Sequence, residues 1–124
     1  MKLLVDTQAA LWLLADDPRL TRRARSLLFG SRHAVLLSAA VAWEVAIKRS
    51  LGKLEAPDGF AGLLLDAGAE PLPITVEHAE ATGALPWHHR DPFDRVLVAQ
   101  AGIEGATLVT GDERLAAYGV PVAW

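Results

Sequence analysis

The chain has 124 residues, 52% of them apolar and 22% charged, with a formal net charge of −3 and no cysteine. That length and balance fit a single globular domain able to bury its own core, and they exclude a disulfide framework and a zinc–thiolate site. A charge as early as Asp6 excludes a signal peptide, and no apolar run approaches the roughly 18 residues of a membrane span. The expectation is therefore a soluble, cytoplasmic protein with no membrane association.

In chain order, the apolar run 2–5 predicts a first strand and 7–14 a helix that ends before Asp16-Asp17-Pro18. Thr21 is placed to cap a second helix running to about Phe29, with Gly30 as its stop. The stripe Leu20, Ala24, Leu27/Leu28 turns Arg22, Arg23 and Arg25 outward. A second strand covers Ala34 to Leu37, and Ser38 caps a helix from Ala39 to about Arg49. Asp58 is expected to open a helix through about Ala67. Glu70 to Ile74 reads as a third strand, placed at a sheet edge by Pro71 and Pro73, and Thr75 caps a short helix 76–82. Asp91 and Pro92 supply the N-cap and first residue of a helix expected to run to Ala101 and stop at Gly102. That helix is apolar nearly all round and should be central. Strand 106–110, helix 112–117 and strand 120–123 finish the chain. Strands alternating with helices predict a single α/β domain over 1–124, a mainly parallel sheet covered on both faces.

Four acids stand out against this frame. Asp6 ends the first apolar run, and Asp112 follows the run Thr107–Thr110 after one glycine. In an open α/β sheet, ligands bind outside the carboxyl ends of the strands, so both acids point to one crevice. Glu44 lies in an apolar helix between Val41 and Val45, and Asp94 sits at the start of another. A buried, unpaired carboxylate costs several kcal/mol or is neutralised. A hard divalent cation removes that penalty, and carboxylates with water make the usual Mg²⁺ or Mn²⁺ shell. The four acids are thus expected to converge, and without metal their repulsion should raise at least one pKa.

Each acid also has a local alternative. Asp6 and Asp112 can cap the helices that follow them, Glu44 can pair with Lys48 at the i,i+4 spacing, and Asp94 can reach back to its cap backbone. Other candidates are weaker. Thr110 can hydrogen-bond a phosphate or a ligating carboxylate. His88 and His89 have no third ligand near them in sequence. Trp12, Trp43 and Trp87 form no stacking series of the single-strand-binding kind. From Pro18 to Trp43 there are five arginines and no acid, compatible with phosphate contacts or with a wet helix face. No P-loop, dinucleotide glycine motif, zinc motif or nucleophile elbow is present.

Four stretches carry a resemblance: Leu4-Val5-Asp6-Thr7, Ser38 through Lys48 (SAAVAWEVAIK), His89 through Ala101 (HRDPFDRVLVAQA) and Leu108 through Asp112 (LVTGD). In these the chain resembles the PIN-domain nucleases, and within them the VapC-like toxins of type II toxin–antitoxin modules. HRDPFDR is the most specific stretch. Gln8 departs from the histidine of close relatives, and Asp91 stays outside the core site as an N-cap. The resemblance implies a three-layer α/β/α fold and an endoribonuclease dependent on Mg²⁺ or Mn²⁺ held by Asp6, Glu44, Asp94 and Asp112. Arg22, Arg23, Arg25 and Arg95, with Thr110, are candidate phosphate contacts. It further implies a homodimer silenced by a cognate antitoxin. Two rivals remain: an Asp-nucleophile phosphatase, disfavoured because no lysine follows Lys53, and a non-catalytic RNA- or protein-binding module on the same fold.

Overall fold

A computed structural model describes residues 1–30 and 32–124. Five strands, β1 Lys2–Val5, β2 Ala34–Ser38, β3 Glu70–Leu72, β4 Thr107–Val109 and β5 Val122–Ala123, form one sheet in the order β3-β2-β1-β4-β5. Every pairing is parallel; Leu4, for example, lies opposite Leu36 on one side and Leu108 on the other. Around the sheet lie α1 Thr7–Ala15, α2 Arg22–Phe29, α3 Ala39–Ser50, α4 Phe60–Asp66, α5 Val76–Ala81, α6 Pro92–Glu104 and α7 Glu113–Ala116. This is the expected three-layer α/β/α arrangement. Parallel strands covered on both faces read as unbroken apolar runs, and Leu3, Leu4, Leu108 and Val109 are accordingly buried.

The strand order sets where the crevice opens. From β1 the chain moves outward through β2 to β3, then jumps back across β1 to β4. The reversal opens a crevice at the carboxyl ends of β1 and β4. The Asp6 N–H donates to the Val109 carbonyl at 3.2 Å, so the two strand ends are locked in register where Asp6 and Asp112 emerge.

Caps behave as the sequence predicts at Thr21, Ser38, Thr75 and Asp91, each of which accepts an N–H of its helix's first turn. Several boundaries differ: β3 ends at Leu72 rather than Ile74, β5 begins at Val122 rather than 120, and two helix ends move. Helix α6 passes through Gly102 and stops at Gly105, which holds the left-handed conformation (φ 64°) that favours glycine. Gly102 is tolerated because α6 is held by packing: Leu97, Val98 and Ala101 are buried. Asp58 does not open α4; Gly59 occupies the cap position, and the exposed Asp58 instead pairs with Arg49 at 2.6 Å. Strand β3 lies at the sheet edge, as its prolines require. Buried Gln100 accepts the Ser38 hydroxyl at 2.6 Å and donates to the Pro73 carbonyl at 3.3 Å, tying α6 to the ends of β2 and β3. Among the described residues, no helix is long and apolar enough to cross a membrane.

Candidate metal centre

Asp6, Glu44, Asp94 and Asp112 all line one cleft of about 630 Å³ at the reversal point. Their local roles coexist with this placement, because a carboxylate has two oxygens. Asp6 Oδ1 accepts the Ala9 N–H at 2.7 Å and caps α1. Asp112 Oδ1 accepts the Arg114 N–H at 2.9 Å, and both its oxygens take the Arg114 guanidinium, at 3.1 and 2.9 Å. Glu44 is buried between two donors, the Thr7 hydroxyl at 2.5 Å and Lys48 Nζ at 2.5 Å. Asp94 does not reach back to its cap; its N–H donates to Asp91 Oδ1 at 3.1 Å and its carboxylate faces the cleft.

His89, for which the sequence offered no third ligand, lies among the acids. It is buried, with Nε2 lying 3.2 Å from Asp94 Oδ2 and 3.3 Å from Asp112 Oδ2. The Nδ1 atom accepts the Asp91 N–H at 3.1 Å. An accepting Nδ1 places a proton on Nε2, yet Nε2 makes no aligned hydrogen bond to either carboxylate. The ligand atoms of His89, Asp94 and Asp112 lie within 4.8 Å of one another, close enough for the three to share one metal ion. His88 turns away, packing edge-on against Tyr118 at 4.9 Å. The only signal in the sequence was HRDPFDR, in which His89 stands two residues before the cap Asp91.

The electrostatics are those of a cation site. Burial pushes Asp6 up to about 6; the Thr110 hydroxyl and Ala9 N–H oppose the shift, and Asp112 and Glu44 add to it. Burial pushes Asp94 up to about 7, reinforced by Asp91, Glu44, Asp6 and Asp112. Asp112 goes the other way: burial would raise it, but the Arg114 hydrogen bonds and charge, with His89, hold it below its ordinary value. Five acids line the cleft against Arg19, Lys48 and Arg114, and each of those cations is already paired, with Asp17, Glu44 and Asp112. Oxygen donors with excess negative charge fit a hard divalent cation that keeps several waters.

The predicted phosphate contacts fare differently. Arg95 is buried and spent: its guanidinium donates to the carbonyls of Thr82, Leu85, Pro86 and His89 at 2.7, 3.2, 2.9 and 3.4 Å. Trp87 covers it at 3.8 Å, so it is not open to a phosphate. Thr110 is also buried, accepting the Asp112 N–H at 3.0 Å and holding the Asp6 carboxylate. Arg25 pairs with Asp16 at 2.7 Å. Arg22 and Arg23 are exposed but do not line the cleft; Arg19, Lys48 and Arg114 do.

Residues 3–121 match the PIN domain family model. Over 70 residues the chain is 41% identical to Ribonuclease VapC16 of Mycobacterium tuberculosis, a match covering 50% of this chain and 48% of that one. It thus spans about half the length of that relative. The fold is similar to the crystal structure of VapBC2 from Rickettsia felis bound to a promoter DNA fragment (TM-score 0.73, 17% identity, 100% of this chain and 99% of that one). It is also similar to DNA-bound VapBC from Salmonella typhimurium (TM-score 0.68, 21% identity, 99% and 97%) and to FitAcB from Neisseria gonorrhoeae (TM-score 0.66, 18% identity, 97% and 95%). With a family model matched over nearly its whole length, and a sheet whose order brings its acids to one crevice, the chain belongs to the PIN domain family.

Proposed function

We propose that this chain is a Mg²⁺- or Mn²⁺-dependent endoribonuclease, the toxin of a type II toxin–antitoxin module. It would act in the cytoplasm as a homodimer and be held silent by a cognate antitoxin. The observation that carries this reading is the convergence of Asp6, Glu44, Asp94 and Asp112 on one cleft of about 630 Å³. The described ribonuclease relative and the VapBC complexes of the same fold support it.

A divalent cation, when bound, supplies the positive charge that makes a water nucleophilic near neutral pH and stabilises the leaving oxygen of a phosphodiester. The chain's own residues would do the rest. Asp6 and Asp94, the two carboxylates with raised pKa, offer direct oxygen ligands. Asp112, pinned by Arg114, presents its Oδ2 beside them, 3.3 Å from His89 Nε2. Glu44 has both oxygens engaged and is suited to act through water. Lys48 brings the nearest partly exposed ammonium to an RNA phosphate.

The test is Asp94→Asn. The purified wild type should cleave single-stranded RNA only with Mg²⁺ or Mn²⁺ present, and the variant should lose on the order of 100-fold or more in rate. Because Asp94 is ionised at a cost, Asp94→Asn should also leave the metal-free protein as stable as wild type or more so, while removing most of the Mg²⁺-induced rise in melting temperature. A wild-type melting temperature indifferent to millimolar cation would overturn the metal site. RNA binding without cleavage would favour the non-catalytic module.

A further inference from the structure

The acid-lined cleft continues into a second hollow of about 510 Å³, with Gln8, Leu11, Trp12, Arg19 and Leu54 forming a shared wall. None of the four acids lines this second hollow. The shared wall carries a flat, rigid platform. The Arg19 guanidinium lies over the Trp12 ring, 4.8 Å from its centroid. Asp17 grips the same guanidinium as a fork, at 3.1 and 2.8 Å. The side chain is nevertheless 69% exposed, so its plane is fixed while most of its surface stays open.

Trp124 stands beside this platform, its ring 5.9 Å from Trp12, and presses on the turn that bears Asp112. A Cβ at Gly111 would come within 2.7 Å of the Trp124 ring, so glycine there is what lets the indole lie against the backbone. The Trp12 Nε1 atom is buried with no hydrogen-bond partner. A planar cation and aromatic rings thus line the cleft in which the acids sit.

We infer that this platform is a nucleobase subsite: a base of single-stranded RNA next to the scissile phosphate stacks on the Arg19–Trp12 shelf. The inference rests on the ribonuclease reading above. Arginine planes and aromatic rings are the surfaces on which unpaired bases stack. Gln8, on the shared wall, adds an amide able to hydrogen-bond a base edge. With its charge balanced by Asp17, the guanidinium offers an open planar face rather than a bare charge, which suits a neutral base. The arrangement gives the enzyme a place to read one base beside the cut.

The experiment uses a fluorescent, nuclease-resistant 2′-O-methyl phosphorothioate hexanucleotide and its six single-abasic versions, with binding followed by anisotropy in Mg²⁺. One abasic position should weaken wild-type binding roughly tenfold or more, the others much less. Arg19→Ala and Arg19→Lys should both flatten that difference. Lysine keeps the charge but not the plane, so Arg19→Lys should bind the intact strand with nearly unchanged salt dependence. Melting curves check that both variants fold. A penalty that persists in both variants, or is spread evenly over all positions, would overturn the subsite, leave the ribonuclease reading intact and assign the shelf to a protein partner. Failure of every strand to bind, together with no cleavage of RNA, would overturn the ribonuclease reading and the subsite with it.

Discussion

Asp6 shows how one side chain serves fold and chemistry together: one oxygen caps α1, and the carboxylate still lines the cleft. Local duties of this kind do not compete with a site, because capping uses one acceptor and leaves the rest. The consequence of placing such acids side by side is a pH dependence of unusual sign. Native Asp6 titrates at about 6 and Asp94 at about 7, against an ordinary 3.8. Between those values the native state holds protons that the unfolded chain has released, so stability falls as pH rises from about 4 to about 7. Asp17 and Asp112, whose pKa values are lowered, lose their contributions only below that window. In EDTA the urea midpoint should therefore be higher near pH 5 than near pH 8, by an amount worth at most a few kcal/mol. Millimolar Mg²⁺ should shrink the difference, since it binds the ionised acids. A midpoint that climbs with pH in EDTA would refute the placement of these two carboxylates.

Helix α6 does most of the positioning. Its first turn carries Asp94, its Gln100 fastens it to Ser38 and Pro73, and its Arg95 gathers the loop that delivers His89. Arg95 is a buried cation with no carboxylate partner, satisfied by carbonyls, the Tyr118 hydroxyl at 3.2 Å and the face of Trp87. Removing it leaves four carbonyls of the preceding segment, that of His89 buried and the others partly so, without this donor. Arg95→Met should cost about 3 kcal/mol and should weaken the stabilisation by Mg²⁺ although Arg95 touches none of the acids. Arg95→Lys should recover little, because one ammonium cannot span carbonyls arranged around a planar fork. Denaturant unfolding with and without Mg²⁺ checks both statements; a Lys variant equal to wild type would show that charge alone suffices.

The surface keeps large apolar groups in water. Trp43 is 56% exposed and packs edge-on against Phe93, while Trp87 and Val76 are 73% and 75% exposed. Isolated exposed side chains need no explanation, but two tryptophans on or beside the helices that carry Glu44 and Asp94 are candidates for an interface. A homodimer predicts twice the chain's mass by light scattering, falling to the monomer mass in Trp43→Asp with Mg²⁺ binding retained. A wild-type protein that stays monomeric at high concentration would refute the dimer.

The parallel sheet, the helix starts at Thr21, Ser38, Thr75 and Asp91, and the four acids could be read from the chain. Caps, periodicity and an acid after an apolar run are short-range signals, and each reports an interaction within a few residues. The end of α6 was misread at Gly102 because glycine is tolerated where packing holds a helix. Asp58 was misread because a free carboxylate finds an arginine as readily as a helix end. The places of His89 and Arg95 in the fold were not legible, for a different reason. Their partners lie in other elements: Asp112 lies more than twenty residues beyond His89, and Arg95 satisfies the carbonyls of the preceding loop. Trp124 meets Trp12 only because β5 ends beside β4, next to β1. Which strand neighbours which is settled by burying all the apolar faces at once, and no window of the sequence contains that balance.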